Sequence, residues 1–152
     1  MLSVLHHMCN VAIVITYGDC MKQVFLPLLL LTSFSSFAQI EHPIDVELEA
    51  CISNNSSTAG IGNCGSKAYE QWDAELNYYY KTLMNVLDSN QKSSLRESQR
   101  SWIKYRDLEV ANIKSIYGSK RGSMWGLTAL SDITEITKDR ALALKKYFEN
   151  IN

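Results

Sequence analysis

The sequence predicts an all-α protein, a small bundle of three long helices with a short N-terminal helix clipped on by a disulfide. Three observations predict it. Apolar residues recur at steps of three and four through three long stretches, which places them on one face of a helix. No segment alternates at period two for long enough to form a strand. Beyond residue 38 the only proline is Pro43, and glycines gather at 60–65, at 118–122 and at Gly126, where they punctuate a helical text.

Residues 45–53 read as the short helix, with Pro43 in or just before its first turn. Residues 54–65 read as a polar loop rich in Asn, Ser and Gly, pinned at either end by Cys51 and Cys64. A long helix follows over 66–87, with Tyr69, Trp72, Leu76, Tyr79, Tyr80, Leu83 and Leu87 as its apolar stripe. Asp88, Ser89 and Asn90 break that helix and cap the next. The next helix is expected over 91–117, its inner stripe running Leu95, Gln99, Trp102, Arg106, Val110, Ile113 and Tyr117, with Gly118 as its terminator. The last helix is expected over 124–149, through Leu127, Leu130, Ile133, Ile136, Leu144, Tyr147 and Phe148, with Ser123 as its cap.

Upstream, residues 21–38 have the layout of a secretory signal. Lys22 precedes an apolar run through Leu28, Leu29, Leu30 and Leu31, and Ser36 and Ala38 stand at the positions a signal peptidase inspects. Cleavage is expected between Ala38 and Gln39, leaving residues 39–152 as a single domain. Residues 1–20 read as an over-long gene start, the alternative being one longer export signal from Met1 to Ala38. The apolar run is too short to span a bilayer comfortably, and no cysteine follows it for acylation, so no stable membrane anchor is expected. The product is expected to be periplasmic or secreted. In that oxidising setting Cys51 and Cys64, the two cysteines left after cleavage, are expected to bond to each other. Two metal ligands are the weaker alternative, because the spacing does not suit a zinc knuckle and His42 is the only histidine left.

The whole chain carries a formal net charge of −1. Acids dominate residues 39–76 (Glu41, Asp45, Glu47, Glu49, Glu70, Asp73, Glu75, against Lys67), and bases dominate the remainder. This division reads either as two faces that neutralise each other or as an acidic surface that steers a basic partner. Nucleic acid is not suggested, since the bases are interspersed with acids.

Several polar residues fall in line with the apolar stripes: Gln99 and Arg106 in the third helix, with Asp107 beside them; Asp73, Glu75 and Asn77 around Leu76; Thr137 and Arg140 in the fourth. Buried charge is costly unless paired. We therefore expect Arg106 and Arg140 to pair with Asp73, Glu75 or Asp107 in a network that fixes helix register. The alternative is a recognition cleft lined by Trp102, Tyr105 and Arg106. Tyr117 and Trp125 read either as an exposed apolar patch or as a buried pair.

The same residues carry a family resemblance. Cys51 and Cys64 are followed by Asp73, Glu75, Leu76, Asn77 and Tyr80; then by Gln99, Arg100, Trp102, Tyr105, Arg106 and Asp107; then by Gly122, Ser123 and Met124; then by Thr137, Arg140 and Leu144. This pattern, spanning roughly 48–148, resembles the LprI-like family of small secreted domains, named for a mycobacterial lysozyme inhibitor. Many members carry a second cysteine pair; here Val110 and residues 129–131 stand in those places without cysteine. The resemblance implies a binding protein that inhibits lysozyme or another cell-wall hydrolase, without cofactor. An immunity-like or scaffolding module of the envelope is the alternative. Contact is expected through the two loops, at Asn54, Asn55 and Asn63 or at Lys120, Arg121 and Ser123. Catalysis is not expected: His42 alone builds no Ser-His-acid or Cys-His constellation, and no Gly-rich phosphate loop is present. No residue pattern sets the oligomeric state.

Overall fold

A computed structural model describes residues 41–151. The expected gene start over 1–20 and signal segment over 21–38 lie outside the described residues. Those described form four α-helices and no strand: α1 (Pro43–Ser53), α2 (Thr58–Val86), α3 (Ser89–Gly118) and α4 (Met124–Ile151). The all-α expectation is met, as is the Cys51–Cys64 disulfide, whose Cα atoms lie 5.8 Å apart. No described helix is long and apolar enough to cross a membrane.

Each helix starts where local chemistry starts it. His42 caps α1, its Nδ1 accepting from the Ile44 amide at 3.4 Å, with Pro43 supplying a helical φ and no orphan N–H. Ser57 caps α2 by accepting from Gly60 N at 3.0 Å. Asp88 opens α3 with a full capping box: its Oδ1 accepts from Gln91 N, and Gln91 Oε1 accepts from Asp88 N.

Two expectations about glycine need correction. The stretch 54–65 is not a loop. Only residues 54–57 are outside helix, and Cys64 sits in the second turn of α2. Glycine disfavours helix by about 1 kcal/mol per residue, but α2 gains from close approach to α4. A Cβ on Gly65 would stand 2.9 Å from Leu130 Cδ2, and one on Gly62 would stand 3.5 Å from Leu127 Cδ2. Gly118, in turn, is the last residue of α3 rather than a left-handed stop, since Ser119 caps the helix in right-handed geometry. The left-handed residue is Gly122, with φ 105°, and it turns the chain into α4.

The core lies chiefly between α2 and α4, with α1 laid on α2 and α3 on α4. Ala68, Trp72, Leu76 and Leu83 of α2 meet Ala141 and Leu144 of α4, with Ile44 and Leu95 added from α1 and α3. Trp72 has no exposed surface. The His42 ring packs on it at 4.3 Å between centroids, and the Lys138 ammonium lies 5.6 Å over it. α2 and α3 scarcely touch, so a cleft opens between them. At the end of the bundle where α1 begins and α4 finishes, Glu41 and His42 border a polar pocket with Lys145 and Glu149.

The disulfide closes a loop of about 14 residues, worth roughly 3 kcal/mol on chain-entropy grounds. Cys51→Ser/Cys64→Ser is expected to lower the melting temperature by roughly 10 °C in circular-dichroism scans. Gly62→Ala is expected to stabilise by about 0.5–1 kcal/mol in urea titration. Gly65→Ala is expected to gain less, because Leu130 must move aside.

Candidate functional site

The two short loops come together. Residues 54–57, between α1 and α2, and residues 119–123, between α3 and α4, lie at the same end of the bundle, where Thr58 Oγ1 and Ser123 Oγ share a hydrogen bond of 3.4 Å. The first loop is held rigidly. Asn54 Nδ2 donates to Ala50 O and Asn55 Nδ2 to Cys51 O, both at 2.8 Å, and Asn55 Nδ2 also lies within 4 Å of both disulfide sulfurs. Asn55 therefore braces the loop from within, while Asn63 lies exposed on α2.

The second loop carries the charged side chains of this end. Lys120 and Arg121 are exposed and make no ion pair with a described residue. Met124 is 67 % and Trp125 37 % exposed. Trp125 is not loose: it stacks on Tyr117 at 5.7 Å and 18°, and Tyr117 in turn donates to Asp132 Oδ2 at 2.9 Å. The Asp132 carboxylate, with some desolvation, raises the Tyr117 pKa above the usual phenol value, so the phenol stays a donor throughout the neutral range. The pair is thus half-buried, packed on its inner side and open on its outer side. Beside it runs a largely apolar trough of about 430 Å³, bordered by Ile52, Ile61, Met124, Leu127 and Leu130.

The acidic stretch is partly neutralised within the fold. Lys138 Nζ lies 3.1 Å from Asp45 Oδ2, and Glu47 takes Lys67 and Gln71 together. Hydrogen bonds from Lys67 and then Gln71 hold the Glu47 carboxyl below its ordinary pKa. Burial opposes the charge on Lys138, but the bond to Asp45 and the fields of Asp45, Glu135 and Asp139 outweigh it and raise its pKa. Glu75 Oε1 lies 3.8 Å from His42 Nε2.

The polar residues expected to form one network are found in separate groups. Asn77 donates to Asp73 O and Oδ2 within α2, at the surface. Arg106 bonds its neighbour Asp107 through Nε and a terminal nitrogen and lies over Trp102 at 5.2 Å. Thr137, fully buried, donates to Ile133 O. Only Gln99 and Arg140 join two helices: Arg140 Nε donates to Gln99 Oε1 at 3.0 Å, and a terminal nitrogen donates to Ser98 Oγ. Arg140 thus takes a neutral amide where an acid was expected, and desolvation lowers its pKa. Sequence reasoning missed the Trp72 contacts of His42 and Lys138 and the bond of Tyr117 to Asp132; a histidine just before Pro43 was the one local signal. No group of three or more His, Cys, Asp or Glu among the described residues is placed to hold a metal.

The family described as Lysozyme inhibitor LprI matches residues 51–144. A search of curated proteins finds no match. Among solved structures, an uncharacterized protein from Burkholderia thailandensis is similar, with a TM-score of 0.66 and 29 % identity over 70 % of this chain. The match takes in 54 % of that protein, so this chain spans about half its length.

Gln99→Leu is expected to strand the half-buried guanidinium of Arg140 and to cost about 1–3 kcal/mol in chemical denaturation. The double variant Gln99→Leu/Arg140→Leu is expected to recover part of that loss.

Proposed function

We propose, for a chain that belongs to the lysozyme inhibitor LprI family, that it is an exported binding protein of the cell envelope that inhibits a lysozyme or related peptidoglycan hydrolase through the tip built from residues 54–57 and 119–125. The observation that carries this reading is the convergence of the two loops. One end of the bundle gathers Lys120, Arg121, Met124 and Trp125, all exposed, on a base fixed by the disulfide and by the Tyr117 stack. Trp, Tyr, Arg and Met are the residues enriched in protein contacts.

The chemistry suits the partner. Glycan hydrolases of this class work with a pair of carboxylates in an open cleft. Lys120 and Arg121 are free of internal acids, so a negative cleft attracts them and a carboxylate accepts the arginine fork. Trp125 and Met124 add apolar area beside the charges. A tip ordered before binding loses little entropy on contact, which favours affinity. The stretch 21–38 fits export, and an extracytoplasmic setting suits the disulfide. The reading needs no catalytic group and no cofactor: the protein acts by occupying the cleft.

Purified protein is expected to lower lysozyme turnover stoichiometrically, with association slowing as salt rises. Lys120→Ala/Arg121→Ala and Trp125→Ala are each expected to weaken inhibition by about tenfold or more while leaving the melting curve in place. An absence of inhibition across animal, invertebrate and phage lysozymes at tenfold excess overturns the choice of partner. Full inhibition by the tip variants overturns the choice of site.

A further inference from the structure

The cleft between α2 and α3 lies away from the tip and has a composition of its own. It holds about 250 Å³ and is bordered by Asn77 and Tyr80 of α2 and by Arg96, Gln99, Arg100 and Ile103 of α3. Arg96 and Arg100 stand one helical turn apart, and neither is paired with an acid among the described residues. Like charges at this spacing repel and destabilise a helix. No described acid lies within ion-pair distance of either to offset that repulsion.

Gln99 supplies the second half of the argument. Arginine has donors only, so the bond from Arg140 fixes Oε1 of Gln99 as the acceptor. The amide cannot flip without stranding Arg140. That leaves the Gln99 Nε2 group, which donates to no described residue, as a donor held in place. The residue as a whole is 8 % exposed, yet no buried side-chain nitrogen or oxygen lacks a partner, so Nε2 reaches solvent. Asn77 is oriented in the opposite sense: its Nδ2 is taken by Asp73, and its Oδ1 is the end left to accept. The cleft thus presents two guanidinium groups and an amide N–H₂ as donors, the Tyr80 hydroxyl, one amide oxygen as acceptor, and an apolar wall from Ile103 and the Tyr80 ring.

We propose that this cleft is a binding site for the C-terminal carboxylate of a peptide ending in a small apolar residue. The arginines and Gln99 Nε2 take the carboxylate, Asn77 Oδ1 takes the last peptide N–H, and Ile103 and Tyr80 border the side chain. A phosphate uses the same donors, and its O–H can reach the acceptor, but it gains nothing from the apolar wall. The site is distinct from the tip and is tested without any hydrolase present, so its failure and that of the inhibitory reading are separable.

The test is a ¹H–¹⁵N NMR titration of the protein with acetyl-alanyl-alanine, with its C-terminal amide, and with inorganic phosphate. The expected result is saturable binding of the free acid in the range of about 0.1–10 mM, with movement of the Gln99 side-chain N–H₂ signals and of backbone signals around 77–80 and 96–103. Binding is expected to weaken about tenfold or more for the amide and for phosphate, and in Arg96→Gln/Arg100→Gln, whose two exposed positions leave the core intact. Equal binding of the amide or of phosphate, unchanged binding by the double variant, or no shift with the free acid each overturns the proposal.

Discussion

Close packing of α2 against α4 is the constraint on which the rest of the molecule depends. α2 presents small residues where α4 presents large ones, Gly62 to Leu127 and Gly65 to Leu130, and Ala141 is fully buried on α4. This lets two long helices share most of their length and enclose Trp72 completely. Such an interface gains from dispersion and from removal of apolar surface together. It also explains why Gly65, which disfavours helix locally, sits inside one.

The remaining helices are attachments to that pair, and their attachment decides where function can sit. α1 is fastened to α2 by the disulfide, by Ile44 under its first turn, and by the salt bridge of Glu47 to Lys67. α3 rests on α4, tied to it by the bond of Gln99 to Arg140, and it leans away from α2. A bundle closed on every side offers no concavity. This one is left open between α2 and α3, and it gathers two loops at one end. Both candidate sites follow from that asymmetry.

Much of the fold was legible in the sequence. The three- and four-residue periodicity set the three long helices, the two cysteines remaining past residue 38 set the disulfide, and the break at Asp88, Ser89 and Asn90 marked where α3 begins. The N-terminus of α2 was not legible. A run of Asn, Ser and Gly reads as loop by local propensity, and the compensating contact comes from Leu130, far along the chain. The polar positions were legible as unusual but not as pairs. Arg140 had acids available by composition, and geometry gave it an amide. Least legible was the meeting of residues 58 and 123, because contact between the start of one helix and a distant loop depends on helix lengths and crossing angles that no local pattern carries. The candidate site is therefore a property of topology, whereas the fold is largely a property of periodicity.

The shared pocket of Glu41 and Glu149 has a practical corollary. Both ends of the described chain emerge side by side, a full α4 length of roughly 40 Å from the loops that carry Arg121 and Trp125. A tether, a fused neighbour or an immobilising tag joined at either terminus would hold the domain by its foot and leave its head pointing outward. The architecture is suited to display from a surface or to service as one module in a longer polypeptide, with no rebuilding of the end that makes contact.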